Sequence, residues 1–223
     1  MNTRTPLIVS LALAVAMALF ALYAASLLPD GAQLPTHWNA AGEVDDTSPA
    51  LFALLMPVGV VIFLAALFAI IPRIEPLQNQ LEASGDLLRA VWYAMLALMV
   101  LVQGMIAMPA FGREPSADLV IVGVGVLFIV IGNMLPKSRP GFFVGIRTPW
   151  TLTDTDNWIA THRLGGKLFM AAGAAILLTV ILPFAPSTRA GIMIGATVAA
   201  ALLPAIYSWF FWYRSRKEGE TGR

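Results

Sequence analysis

All 27 charged residues of this 223-residue chain lie outside six long stretches that contain no Asp, Glu, Lys or Arg. The stretches are residues 5–29, 47–72, 90–112, 119–136, 168–188 and 190–213. The shortest has 18 residues, and a helix needs about 20 apolar residues to cross about 30 Å of hydrocarbon. The pattern therefore predicts an all-α integral membrane protein with six transmembrane helices.

Composition excludes several classes of protein. Hydrophobic residues make up 58% of the chain and charged residues 12%, whereas soluble proteins are about 25% charged. The net charge of +1 gives no basic excess for binding nucleic acid. The absence of cysteine excludes disulfides and thiolate metal centres. No HExxH, P-loop or GxSxG pattern occurs, so the sequence predicts no catalytic residue, metal or cofactor.

The basic residues predict the orientation. If the N-terminus is cytoplasmic, twelve of the 14 Lys and Arg residues lie on the inner side, and only Arg113 and Arg189 lie outside. Acidic residues show no such bias, with seven inside and six outside. The positive-inside rule then predicts that both termini are cytoplasmic. An interfacial aromatic belt on the inner side agrees with this orientation and comprises Trp92, Tyr207, Trp209, Trp212 and Tyr213.

The predicted spans contain no ionisable side chain, which removes the usual carriers of proton-coupled transport and intramembrane aspartyl proteolysis. Gln103 and Asn133 are the notable interior amides. They suit either hydrogen bonds between helices or contact with a substrate. In the sixth span, Gly191, Gly195 and Ala199 recur every fourth residue. This stripe of small residues predicts close helix packing, either inside the bundle or at a dimer seam.

The predicted outer loop, residues 29–50, is rich in turn-forming residues. A tight turn is expected from Asn39 to Gly42, with Gly42 at positive φ, so that a small folded cap forms. A cation site is one interpretation of its acidic residues, because imidazole and carboxylates are common metal ligands; its members would be His37, Glu43, Asp45 and Asp46. In the alternative interpretation, His37 and Trp38 pack at the lipid headgroups and the acids are solvated.

The predicted cytoplasmic segment, residues 136–167, contains the remaining chemistry. An N-cap at Thr153 and an end at Arg163 and Gly165 predict a short interfacial helix between the fourth and fifth spans. Trp158 and His162, four residues apart, would lie on its apolar face. Arg139 and Arg147 are expected to meet lipid phosphates. The alternative is a set of catalytic residues acting on lipid, comprising Arg147, Asp154, Asp156 and His162.

Two runs of residues in these segments resemble a known family. The first extends from Gly132-Asn133-Met134-Leu135-Pro136 through Gly145-Ile146-Arg147-Thr148-Pro149-Trp150-Thr151-Leu152 to Trp158, Thr161-His162-Arg163 and Gly165-Gly166-Lys167. Its order and spacing resemble the SdpI family of bacterial membrane proteins. The second, Leu34-Pro35-Thr36-His37-Trp38-Asn39 with Gly42 and Asp45, is similar to a domain of unknown function often fused to that family. The chain departs from the family pattern at Gly141, where an Asn is expected.

The resemblance implies two units: residues 1–89, a two-helix unit with a structured outer loop, and residues 90–223, an SdpI-like four-helix unit. It also implies an immunity protein of the bacterial cytoplasmic membrane, which binds or excludes a membrane-active peptide toxin and retains a cytosolic transcriptional repressor. The implied binding residues of the cytoplasmic segment are Asn133, Pro136, Gly145, Arg147, Thr148, Pro149, Trp150, Thr151, Trp158, His162, Arg163 and Gly166. Those of the outer loop are Pro35, His37, Trp38, Asn39, Gly42 and Asp45. The alternative function is an enzyme or carrier acting on lipid or a small hydrophobic substrate.

Overall fold

The computed structural model describes residues 3–39, 42–76 and 84–221 as a bundle of long helices with one β-hairpin. The elements are α1 (Arg4–Ser26), β1 (Gln33–Trp38), β2 (Val44–Pro49), α2 (Ala50–Ile74), α3 (Gly85–Ile106), α4 (Asp118–Met134), α5 (Pro149–Thr153), α6 (Thr155–Ile181) and α7 (Pro186–Thr221). Short 3₁₀ turns follow α3 and α4. Among the described residues, six helices are long and apolar enough to span a membrane. They are α1, α2, α3, α4, α6 and α7. The predicted all-α membrane protein with six spans is confirmed.

The connections between helices cluster at the two ends of the bundle. At one end, the hairpin and the connections α3–α4 and α6–α7 meet, since Trp38, Ala117 and Phe184 line one cavity. At the other end, the segment between α4 and α5 packs against the last turn of α2, where Phe142 contacts Glu75. Following the predicted orientation, these are called the outer end and the inner end, and residues 138–148 are called the inner loop.

The fifth span was misplaced by the sequence pattern. The prediction placed it at residues 168–188, but α6 begins at Thr155 and ends at Ile181. Counting charges failed because Arg163 and Lys167 are part of the helix rather than of the loop before it. At the outer end, Pro183 follows closely on Ile181 and stops the helix, since proline lacks the N–H that a helix interior requires.

The predicted interfacial helix is correspondingly different. Residues 155–165 form the first turns of α6, capped by Asp154, whose side chain accepts from the N–H groups of Asp156 and Asn157. The short helix between the fourth and fifth spans is instead α5, only five residues long. Thr153, the predicted N-cap, is the last residue of α5. Gly165 does not end the helix, because its missing side chain serves packing within the bundle.

The outer hairpin confirms the predicted fold-back of the outer loop. β1 and β2 pair antiparallel, Gly42 has φ +82°, and its N–H donates to the carbonyl of Asn39 at 2.9 Å. Of the predicted turn, residues 40 and 41 lie outside the described residues. Leu34 is 1% exposed and anchors β1 against the ends of the helices. β2 continues directly into α2 at Ala50, so the hairpin and the second span are joined without a linker.

Trp92 was predicted to lie in the interfacial belt, but it belongs to the core. Its side chain is fully buried and stacks on Phe68 with ring centroids 5.3 Å apart. Its indole N–H donates to the hydroxyl of Ser10 at 2.9 Å, which meets the need of a buried indole for a polar partner. At the inner end of α7, in contrast, Trp209 and Tyr213 are 45% and 42% exposed, as belt residues are.

The closest helix contact is made by glycines other than the predicted ones. A Cβ on Gly132 of α4 would lie 2.6 Å from the carbonyl oxygen of Gly166 of α6, and a Cβ on Gly173 would lie 2.5 Å from that of Gly125. Gly125 and Gly132 are seven residues apart on α4, and Gly166 and Gly173 are seven residues apart on α6. Two glycines of α4 therefore face two of α6. Gly191 and Gly195 have nothing within 4 Å of an added Cβ. The expectation that they pack inside the bundle was therefore wrong.

Gln103 joins three helices, as one of the two interpretations of it predicted. Its side chain is 3% exposed, and its amide N–H groups donate to the carbonyls of Met17 in α1 and Leu54 in α2, both at 2.9 Å. Asn133, in contrast, is exposed. Gln103→Leu should lower the free energy of unfolding by about 1–2 kcal/mol.

The matched variant Asn133→Leu should change that free energy by less than about 0.5 kcal/mol, because the side chain is on the surface. Thermal unfolding of the two purified variants, followed by tryptophan fluorescence in detergent, measures the difference. Equal melting temperatures for the two variants would contradict the bridging role of Gln103.

Candidate functional site at the two ends of the bundle

The inner loop is held in place by two side chains from the other half of the chain. Both carboxyl oxygens of Glu75, at the end of α2, accept from the N–H of Phe142, and one also accepts from the N–H of Phe143 at 3.1 Å. The hydroxyl of Ser84, just before α3, accepts from the N–H of Arg139 at 2.8 Å and faces the carbonyl oxygen of the same residue at 3.3 Å. Glu75 is only 2% exposed, so the link lies inside the fold.

His162 of α6 holds the end of the same loop. Its Nε2 accepts from the N–H of Ile146 at 2.8 Å, and its Nδ1 lies 2.8 Å from the carbonyl oxygen of Trp158. This pattern requires a neutral ring with its proton on Nδ1. The loop can approach so closely because Gly145 has φ +113° and no side chain, whereas a Cβ there would lie 2.5 Å from Nε2.

A buried hydroxyl and amide network fixes the chain where the inner loop enters α5. Thr148 caps α5 in a reciprocal arrangement with Thr151, and its hydroxyl lies 2.9 Å from that of Ser208 in α7. Asn157 donates to the carbonyl of Ser208 at 2.8 Å and accepts from Thr161 at 3.0 Å. The network therefore joins the inner loop, α6 and α7.

The other implied binding residues of this segment have mixed surroundings. Arg147 is exposed, and its guanidinium donates to the carbonyl of Phe142 at 2.6 Å. Trp150 packs against Trp212 with ring centroids 6.2 Å apart. Pro149 is the first residue of α5, and Gly166 contacts α4. The side chains of the remaining three are exposed: Asn133, Pro136 and Arg163. Phe142 and Phe143 are 47% and 37% exposed. Together with Arg147 they give the inner loop an exposed surface that is aromatic and basic.

Three side chains of the alternative catalytic set make structural contacts, and the fourth, that of Asp156, is exposed. Both ring nitrogens of His162 have partners within the fold, and the ring is stacked on Trp158 at 4.0 Å between centroids. Asp154 caps α6 and Arg147 binds the loop carbonyl. A general base needs a nitrogen or oxygen free to receive a proton from a substrate, and His162 offers none in this arrangement.

The acidic residues of the hairpin are spread over its surface. His37 contacts Asp45 at 2.6 Å, with both side chains largely exposed, while Glu43 accepts from the amide of Asn39 at 3.0 Å. Within residues 3–39, 42–76 and 84–221, no group of three or more His, Asp or Glu side chains is arranged to hold a metal ion. Pro35 is buried beside Leu34 and has a packing role.

The outer cleft is a cavity of about 370 Å³ between the tip of the hairpin and the outer ends of α4 and α7. Its lining residues are Trp38, Asn39, Gly42, Ala117, Ile121, Phe184, Pro186, Arg189, Ala190, Met193 and Ile194. Most of this lining is apolar. Arg189 forms an ion pair with Asp118, and its Nε is buried without a hydrogen-bond partner among the described residues. A concave, mainly apolar surface of this size is typical of a ligand site.

Several residues of these sites were not predicted from the sequence, among them Glu75, Ser84, Asp118 and Arg189. Glu75 and Ser84 flank the link between the second and third spans, and Asp118 and Arg189 stand alone at the outer boundaries of the fourth and sixth. Single charges at the edge of an apolar stretch had been counted as ordinary boundary residues. The available signal was their isolation, because a lone charge beside a span often serves a specific partner.

Comparisons with known proteins agree with the two runs of residues that suggested a family. A profile of the SdpI/YfhL protein family matches residues 137–208, from the inner loop into α7. A profile of a domain of unknown function, DUF1648, matches residues 12–62, which contain the hairpin. Immunity protein SdpI of Bacillus subtilis (strain 168) is 24% identical over 181 residues, which cover 81% of this chain and 84% of that protein. No solved structure shows significant similarity.

Proposed function

We propose that this chain, which belongs to the SdpI/YfhL family, is an immunity protein of the bacterial cytoplasmic membrane that binds a membrane-active peptide toxin at its outer cleft. The name of its relative in Bacillus subtilis supports an immunity role. A binding function also suits the structural engagement of His162, Asp154 and Arg147 described above. The outer cleft is the observation that carries the proposal.

Charge defines the kind of peptide that fits this end of the molecule. The outer connections carry six acidic residues against two arginines, and Glu43, Asp45 and Asp46 of the hairpin are exposed. A negative surface raises the local concentration of cationic ligands. The apolar cleft beneath it, with Trp38 and Phe184 at its walls, then accepts the apolar part of the peptide. The toxin is accordingly a cationic, amphipathic peptide that arrives from the outer side.

Signalling to a cytosolic repressor follows the same path through the protein. β2 runs without a break into α2, and α2 ends at Glu75, which binds the inner loop. A shift of the hairpin on toxin binding is thus transmitted by one helix to residues 142 and 143. The exposed surface of Phe142, Phe143 and Arg147 is the part of the inner loop that receives the repressor.

A protection assay tests the immunity role. Sensitive bacteria expressing the chain, or an empty vector, are challenged with purified membrane-depolarising peptides, including the toxin against which the Bacillus subtilis relative protects. We expect the lethal concentration of at least one cationic peptide to rise about tenfold or more, because peptide held in the cleft does not reach the bilayer. An unchanged lethal concentration for every peptide of the panel would contradict the immunity role.

Two variants of α7 separate the cleft from the rest of the protein. Ile194→Trp fills the cleft, which Ile194 lines, and should abolish protection by excluding the peptide. Val198→Trp places the same bulk one turn further along, on an exposed face outside the cleft, and should protect like the parent chain. Equal protection by the two variants at equal expression would show that the cleft is not the binding site.

A further inference from the structure

Arg163 and Lys167 occupy an unusual place for exposed cations. Both lie on the spanning helix α6, eight and twelve residues after its first residue, Thr155. They are four residues apart and therefore neighbours on one face of the helix, and both side chains are exposed. On the adjacent face, His162 and Gly166 are buried in the bundle. The two cations consequently point away from the protein at the level where α6 enters the membrane.

The cations line a groove between α6 and α7. A cavity of about 360 Å³ is bounded by Ala160, Arg163, Leu164, Lys167 and Tyr207. A second cavity of about 310 Å³ continues it along α7 and is bounded by Tyr207, Phe210, Phe211, Arg214 and Ser215. Tyr207 lines both, so the two cavities are neighbours, and together they are called the groove; their lining holds three cations and two hydroxyl groups and has no carboxylate.

Several basic residues of the described chain have acceptors, whereas Arg163 and Lys167, like the exposed Arg73 and Arg113, have none. Arg89 pairs with Asp86, Arg189 with Asp118, and Arg147 with a loop carbonyl. Among the described residues, neither Arg163 nor Lys167 has an ion pair or a hydrogen bond from its side chain. A cation close to hydrocarbon without a counter-charge is costly, so this groove favours an anion supplied from outside the protein.

The depth of the groove indicates which anion it meets. Tyr207 belongs to the aromatic cluster at the inner end of α7, together with Trp209 and Tyr213, and such clusters lie at the level of the lipid headgroups. Leu164 lies beside Arg163 on α6, and Lys167 lies one turn further toward the centre of the bilayer. A phospholipid at this position places its phosphate at the two cations, and its acyl chains extend past Lys167 into the hydrocarbon. Basic pockets between spanning helices on the cytoplasmic side bind anionic headgroups in this manner.

We propose that the groove between α6 and α7 is a binding site for an anionic phospholipid of the inner leaflet, with Arg163 and Lys167 as the phosphate ligands and Tyr207 beside them. The site is distinct from the outer cleft and from the inner loop, and it does not depend on the immunity role. Arg214, whose guanidinium lies 5.3 Å from the centre of the Phe210 ring, adds positive charge at the cytoplasmic end of the groove.

Lipid titration of the purified full-length chain tests the site. Phosphatidylglycerol or phosphatidylcholine with identical acyl chains is added in mild detergent, and bound lipids are counted by native mass spectrometry. The parent chain should bind one phosphatidylglycerol roughly 10- to 30-fold more tightly than phosphatidylcholine. Arg163→Gln combined with Lys167→Gln should remove that preference, and Lys167→Arg, which keeps the charge, should retain it.

A matched control removes two charges from the inner end without touching the groove. Arg73→Gln combined with Lys137→Gln alters exposed cations in the last turn of α2 and just after α4 and should leave the preference unchanged. Three results would overturn the proposal: no preference in the parent chain, a preference that survives the groove variant, or an equal loss in the control. Displacement of the lipid by millimolar inorganic phosphate would also overturn it, because the site would then bind the free anion. The melting temperature of each variant without added lipid verifies its fold.

Discussion

Gly166→Val should lower the free energy of unfolding by about 3 kcal/mol or more, because overpacking a rigid contact forces backbone shifts. A Cβ at this position would lie 2.7 Å from the carbonyl oxygen of Gly132 and 2.8 Å from the ring of Pro136. Neither a backbone carbonyl nor a proline ring can swing aside, so α4 and α6 must separate. We expect a lower melting temperature in detergent and a smaller yield of monodisperse protein by size-exclusion chromatography.

Gly195→Val is the matched control for this substitution. Gly195 also lies within a spanning helix, but nothing is within 4 Å of an added Cβ. Its melting temperature should stay close to that of the parent chain. If both valine variants melted alike, the close approach of α4 and α6 would not be a main source of stability.

Glu75→Ala should release the inner loop while the bundle remains folded. The substitution leaves the N–H groups of Phe142 and Phe143 without their acceptor, and burying unpaired donors costs about 2–3 kcal/mol. Local opening of the loop should then become roughly 30- to 100-fold more frequent. Trypsin cleavage after Arg147, in the opened loop, measures this change when cleavage is slow relative to reclosing.

Two further variants show whether a faster cleavage is due to loss of the Glu75 carboxylate. Glu75→Gln keeps one side-chain oxygen as an acceptor and should give an intermediate cleavage rate. Asp86→Ala removes an exposed carboxylate at the same end of the bundle and should leave cleavage unchanged. If Glu75→Ala cleaved at the rate of the parent chain, α2 would not hold the inner loop, and the proposed path from the hairpin to the cytosol would lose its last link.

The distribution of charge was sufficient to predict most of the architecture. Apolar stretches of spanning length must form helices, because backbone groups in hydrocarbon can be satisfied only within the protein. The same criterion failed at α6. Long Lys and Arg side chains can carry their charge to the membrane surface from a position within the helix. A criterion that allows no charge within a span therefore assigned Arg163 and Lys167 to a loop.

The sites were harder to predict, because they depend on contacts between distant parts of the chain. Trp158 and His162 were expected on the apolar face of a helix lying on the membrane surface, yet both are buried in the protein and bind the inner loop. Periodicity alone could not distinguish these possibilities, since the lipid-facing and protein-facing sides of a membrane helix are both apolar. Glu75 and Arg189 belong to no local motif, and their partners are 67 and 71 residues away.

The central claim, that the outer cleft captures a peptide toxin, is tested most directly by photocrosslinking. Phe184, an aromatic residue in the cleft wall, is replaced by the photoreactive amino acid p-benzoylphenylalanine. Phe63, an exposed residue of α2 outside the cleft, receives the same replacement as a control for random encounters in the membrane. With a labelled peptide from the protection assay, position 184 should form an adduct that excess unlabelled peptide suppresses. Absence of that adduct, or an equal adduct at position 63, would contradict the account.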